Sequence, residues 1–194
     1  MASAATADAG IVTVYPSRVY EPQHEQVVHA ELAKQLAELL GYSFGGVRDV
    51  AASHTGPVYL LPTGTLIGID HAQSLGLRDE RNLFGGVVPY PFVATKAITH
   101  ALVQPDAFAP EGWSNEFTRR VQRSVLSGFS AFTLADARDA GVRLLAEGPA
   151  RLKPVRATAG RGQIVVRNVG ELEAALESMD TSELATWGLT LGEH

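Results

Sequence analysis

The stretch RLKPVRATAGRGQIVV, Arg151 to Val166, gathers the residue types that hold polyphosphate. No acid lies between Glu147 and Glu171, while Arg151, Lys153, Arg156, Arg161 and Arg167 all carry positive charge. Lysine meets a phosphate oxygen as a point charge, and arginine forks onto two oxygens at once. Gly160 and Gly162 permit φ > 0 and let backbone N–H groups come close to an anion. In a chain of net charge −5 this is a local reversal of field. Strand alternation puts Arg151, Lys153 and Val155 on one face. Two readings fit these residues: a loop that grips phosphate, or a hairpin whose exposed strands are basic.

Other motifs fail on context or spacing. GYSFG, Gly41 to Gly45, spells the G-x-S-x-G nucleophile elbow around Ser43. That elbow needs a strand entering and a helix leaving, whereas a long helical pattern enters here, so the expectation is a glycine helix stop followed by a loop. A hydrolase reading would rest on Ser43 alone. HEQVVH places His24 and His29 five apart, roughly 140° around a helix, so they do not share a metal. His54, His71 and His100 have no carboxylate spacing that unites them, and His71 reads as half of a surface pair with Asp70. The P-loop is absent, and the dinucleotide fingerprint would need glycine at Val165.

The elements that must position these residues follow from periodicity and punctuation. IVTVY (11–15) and PVYLLP (57–62) predict buried strands. Val28, Leu32, Leu36, Leu39 and Leu40 predict a helix from Pro22 to Leu40, stopped by Gly41. A second helix is expected over 65–77, so the first part has the alternation of an α/β unit with parallel strands. Paired glycines and several prolines between 82 and 113 predict little regular structure beyond a strand at Val87 or 92–94. Ser114 caps a helix whose apolar face is Phe117, Val121 and Val125. Thr133 and Asp136 make a capping-box start for a helix to Glu147. ARLKPV and QIVVR read as strands around the glycine loop, Leu172 to Met179 as an amphipathic helix, and WGLTL as a final strand.

Of the 194 residues 45% are apolar and 19% charged, the balance of a globular chain. The absence of cysteine excludes disulfides, thiolate metal sites and cysteine nucleophiles. The net charge of −5 argues against nucleic acid as a partner. No apolar run approaches the roughly 20 residues that span a bilayer. A reducing, cytoplasmic setting is compatible with all of this.

The succession of helix, LKP, ATAGRG, QIVV, ELEAALESM and LTLGE resembles the first lobe of the ATP-grasp fold, from about Ser114 onward. LFGGVVPYPFVATKAITH, PEGWS and RLKPVRATAGRGQ look like an uncharacterised bacterial family of ATP-grasp-like proteins, a likeness that runs from Ile11 onward. The resemblance implies that Lys153 contacts nucleotide and that Gly160, Arg161 and Gly162 lie in a lid loop over the phosphates. It places Glu193 near the adenine hinge, with Gly192 where a second acid is expected, and matches Lys96 loosely to an earlier phosphate lysine.

The expected fold class is α/β: a tail at 1–10, a small mainly parallel α/β domain at 11–112 of the kind that precedes ATP-grasp modules, and an α+β first lobe at 113–194. The expected cofactors are ATP and Mg²⁺, the metal ligands belonging to a second lobe beyond His194. The implied activity is an ATP-dependent carboxylate–amine ligase passing through an acyl phosphate, with this chain alone inactive. A small molecule or peptide would be the acceptor, homo-oligomerisation stays open, and no residue is singled out as catalytic. The other reading is a non-catalytic nucleotide-binding or assembly module.

Overall fold

The computed structural model describes residues 10–18, 20–48, 54–157 and 159–194. The tail expected at 1–10 lies outside these, Gly10 excepted. The chain divides into two compact units, 1–89 and 90–194.

The first unit holds β1 (Ile11–Tyr15), α1 (Gln23–Leu40), β2 (Ser43–Val47), β3 (Val58–Pro62), β4 (Leu66–Ile67), α2 (Ile69–Ser74) and β5 (Val87–Val88). The three longer strands form a parallel sheet in the order β2-β1-β3, and β4 pairs with β5, also in parallel. The expected α/β rhythm is present, with three local differences. The stripe of α1 that packs on Val12, Val14 and Leu61 is centred on Ala33 and Ala37, while Val28 and Leu39 are exposed. Alanines let the helix axis come close to the sheet, which the larger side chains would prevent. The helix expected over 65–77 is only α2, because Leu66 and Ile67 pair with Val87 and Val88 and Gly68 turns at φ 92°. Residues 43–47 form a strand, not the expected loop, with Ile11 opposite Ser43 and Val12 opposite Phe44.

The second unit contains β6 (Ala101–Leu102), α3 (Asn115–Val121), β7 (Gly128–Ala131), α4 (Leu134–Leu145), β8 (Ala150–Pro154), β9 (Ile164–Val166), α5 (Val169–Glu177), α6 (Thr181–Trp187) and β10 (Leu189–Glu193). Its sheet runs β6-β7-β10-β8-β9, with β10 antiparallel to both of its neighbours. One face, carrying Ala131, Leu152, Val166, Leu189 and Leu191, packs on Ala137, Ala140 and Leu144 of α4 and on Leu172 and Leu176 of α5. The expected cap holds: Thr133 Oγ1 accepts from Asp136 N at 3.1 Å and donates to the Asp136 carboxylate at 2.6 Å.

β7 and α6 have no counterpart in the sequence reading. The face expected for α3 also differs, since Phe117 is half exposed and Thr118 is the buried residue. The division falls at 89/90 and not at 112/113. Phe92, Ala97 and Leu102, with Trp113 alongside, build one aromatic cluster with Phe132 and Val155, so the glycine- and proline-rich segment is part of the second unit's core. It is also more regular than expected, with 3-10 turns at Pro91–Ala94 and Lys96–Thr99.

Candidate functional site

Period-two alternation fixes which side chains of the second sheet avoid the helices. In β8, Ala150 and Leu152 are buried against α4 and α5, so Arg151 and Lys153 take the opposite face. In β10, Leu189 and Leu191 go inward, which leaves Thr190 and Gly192 beside Lys153 and Arg151 in register. In β7, Ser130 and Gly128 join the same rows. This second face is partly covered by the turn at Lys96–Thr99, held down by a 2.6 Å hydrogen bond from Ser130 Oγ to the Ala97 carbonyl.

A cavity of about 450 Å³ opens where this covering stops, and Lys96, Arg151, Lys153, Glu193 and Leu126 line it. Two further lining residues, Gln163 and His194, hold the Arg151 guanidinium: Nη1 donates to Gln163 Oε1 at 3.0 Å, and Nη2 meets His194 Nδ1. The structure thus brings together Lys153, Lys96 and Glu193, residues far apart in sequence. It adds Arg151, whose place on the Lys153 face was already legible from strand alternation.

The electrostatics follow from this crowding. Burial holds the Lys153 ammonium below its ordinary pKa, the charges of Arg151 and Lys96 lower it further, and Glu193 opposes them. An incoming anion would relieve that repulsion. Gly192 is closely approached: a Cβ there would stand 3.2 Å from Lys153 Nζ and 3.2 Å from the Ser127 carbonyl oxygen, tighter than an ordinary contact. The place where a second acid was expected is therefore filled by the lysine head group itself. Glu193 is tied to the same turn, its N–H donating to the Ser127 carbonyl at 3.1 Å.

The glycine loop is placed differently. Ala159, Gly160 and Gly162 have φ of 54°, 75° and 67°, the left-handed conformations the sequence led us to expect of the glycines. Yet Gly160, Arg161 and Gly162 do not line the cavity; Gly162 lies against Pro154 and Arg161 is exposed. The loop meets the site through its stem, where Lys96 Nζ donates to the Ala157 carbonyl at 3.3 Å. Thr158 lies outside the described residues. Nor do the five cations of the basic stretch act together. Arg156 turns away, its guanidinium 4.4 Å from the Trp187 ring centroid and 3.2 Å from the Glu183 carboxylate, beside a separate cavity of about 320 Å³. Arg167 is exposed.

The remaining motifs do no chemistry here. Gly41 follows a helix, so Ser43 is on no nucleophile elbow, which removes the hydrolase reading. His24 is exposed, and His29 pairs with Glu21. His71 Nε2 lies 3.2 Å from the Tyr15 hydroxyl, so its partner is not Asp70. Among the described residues no group of three His, Cys, Asp or Glu is placed to hold a metal ion. The 450 Å³ cavity offers one carboxylate against three cations, a set that fits phosphate oxygens and does not fit Mg²⁺.

Residues 12–194 match a family described as proteins of unknown function, DUF3182. No curated protein matches the chain by sequence. Among solved structures, D-alanyl-alanine synthetase A from Vibrio cholerae is similar over 98% of this chain and 60% of its own, with a TM-score of 0.51 at 9% identity. A RimK domain protein ATP-grasp from Sphaerobacter thermophilus covers 95% of this chain and 64% of its own, with a TM-score of 0.42 at 14% identity. The chain therefore spans about three fifths of the length of these two proteins. At such identity the likeness to the first of them is one of fold, and the fold is ATP-grasp-like. No helix among the described residues is long and apolar enough to cross a membrane.

Proposed function

We propose that this chain, which belongs to the DUF3182 family, carries the nucleotide-binding lobe of an ATP-dependent carboxylate–amine ligase. The observation that carries the reading is the convergence of Lys96, Arg151 and Lys153 on one cavity of the second unit, with Glu193 on its wall. Lys96 and Lys153 would each place an ammonium against phosphate oxygens, and Arg151, already squared by Gln163 and His194, would present two parallel donors. The loop at 160–162 would act as a lid, its backbone N–H groups turned toward phosphate once it closes. Glu193 would accept from the adenine amino group.

In the proposed reaction a carboxylate oxygen of the acceptor attacks the γ-phosphorus, and the bond from that phosphorus to the bridging oxygen of ADP breaks. An amine then attacks the acyl phosphate carbon and phosphate leaves. Mg²⁺, where bound, would neutralise the developing charge on the transferring group. Its ligands are not among the cavity residues and would be supplied from outside this chain. The first unit, from residue 11 to residue 89, would form the pre-ATP-grasp domain that helps to hold a small-molecule or peptide acceptor, and the setting would be the cytoplasm. The lone carboxylate of the cavity favours one other reading, a module that binds nucleotide without turning it over.

Calorimetric titration with ATP tests the binding. The unmutated chain binds ATP, and Lys153→Ala weakens it by roughly 10- to 100-fold, the loss of a charged hydrogen bond of about 1.5–3 kcal/mol. No binding by the unmutated chain overturns the proposal. Release of phosphate with MgATP and acceptor pools separates the ligase from the non-catalytic module.

A further inference from the structure

His100, a histidine within reach of the Lys153 charge, has no part in the reading above. The His100 ring lies over Gly128, where a Cβ would stand 2.8 Å from its Cδ2. Gly128 is paired in register with Gly192, the glycine that lies under Lys153 Nζ. Directly opposed residues of an antiparallel pair project to the same face, with Cβ positions about 4.5–5.5 Å apart. The imidazole and the ammonium thus rest side by side on a floor of two glycines.

The hydrogen bonds fix the tautomer. Thr99 Oγ1 donates to the Lys96 carbonyl at 2.7 Å and lies 2.8 Å from His100 Nδ1. A hydroxyl has one proton to give, so in the second contact Nδ1–H is the donor and Nε2 holds the lone pair. Nε2 is buried and makes no hydrogen bond, although the Leu126 backbone favours the protonated ring. The ring is therefore placed to gain a partner on gaining a proton. Leu126 belongs to the segment that walls the cavity.

We propose that His100 is a positioning residue of the anion site, taking up a proton as polyphosphate binds and so linking the affinity of the pocket to pH. The proposal rests on the phosphate reading given above. The charged group that acts on the ring is Lys153 from β8; Arg151 from the same strand, Lys96 from the ring's own turn and Glu193 from β10 act in turn on Lys153, while β7 presents only Gly128 and Ser130 on this face. In the free protein, burial and then the charge of Lys153 hold the His100 pKa below its ordinary 6.5. A bound polyphosphate offsets the Lys153 charge and raises it. Between the free and the bound pKa, binding takes up a proton, so affinity falls as pH rises through that window.

The test follows the His100 ring by NMR across pH, with and without ATP in the absence of Mg²⁺, its signals assigned through the backbone. ATP is expected to raise the His100 pKa, and Lys153→Met to raise it without any ligand. By calorimetry the affinity of the unmutated protein should fall with pH more steeply than that of His100→Gln, by up to about tenfold per pH unit; the titration of ATP itself is common to both. If ATP binds while the ring does not respond to it, the proposal is overturned and the phosphate reading stands. If Lys153→Met leaves the ring unchanged, the coupling to Lys153 is refuted. If ATP does not bind at any pH, both readings fall. Should His100→Gln not fold, the ring titrations of the unmutated protein and of Lys153→Met decide the matter.

Discussion

Gly192 shows how far the cavity depends on a side chain that is not there. It is buried between Lys153 Nζ and the Ser127 carbonyl, so a methyl group would press one of them back by a few tenths of an ångström, and the lysine tip is the softer. Gly192→Ala is therefore expected to weaken ATP binding by about tenfold, the worth of one misplaced charged hydrogen bond, while calorimetric binding and thermal melting measured side by side show the smaller change in melting. Unchanged affinity would mean that the ammonium does not rest over this glycine in the bound state. His100 predicts a pH effect on folding as well. Its pKa is lowered in the folded chain, so the unfolded chain holds the extra proton near pH 6.5 and below. Stability is then expected to fall as pH drops from about 6.5 through the folded value, and His100→Gln to flatten that limb in urea titrations at successive pH.

The elements differ in how plainly the sequence announces them, and the reason is what each one faces. β1, α1, β3, α4, β8, α5 and β10 bury apolar residues at a regular period or carry a capping residue, and all were legible. β7 was not, because Gly128 and Ser130 on one face are small and polar: the close approach of the Leu191 carbonyl and the His100 ring, which needs Gly128, removes the alternation that marks a strand. α6 was missed because its single buried residue is Leu184, too little for a period. For the site, Arg151 and Lys153 were legible as one face of β8, whereas Lys96 and Glu193 came only through the family resemblance. His100 had no signal, since its neighbours Thr99, Gly128 and Lys153 are assembled by folding. β10 is the central strand, and its Leu191 is fully buried. Leu191→Ala should cost about 2–5 kcal/mol in chemical unfolding, and Thr133→Ala, which removes the cap of α4, about 1 kcal/mol. A Leu191→Ala loss below the Thr133→Ala loss would contradict the placing of the core.

For the whole molecule, the cationic cavity has to be set against a net charge of −5. The general field repels ATP, so binding must come from the few groups that converge, and charge elsewhere in the basic stretch should count for little. The second unit contains both the cavity and a core of its own, and residues 90–194 produced alone are expected to unfold cooperatively in a thermal melt followed by circular dichroism. The most direct test of the central claim compares two variants that remove the same charge from the same stretch: Lys153→Ala, inside the cavity, and Arg167→Ala, exposed at the end of β9. In calorimetric ATP titrations at one pH and salt, Lys153→Ala should lose roughly 10- to 100-fold in affinity and Arg167→Ala should stay within about twofold, as expected of an exposed charge. Equal losses would show that ATP is attracted by a basic hairpin and not by a built site, and an unchanged Lys153→Ala would remove the site altogether.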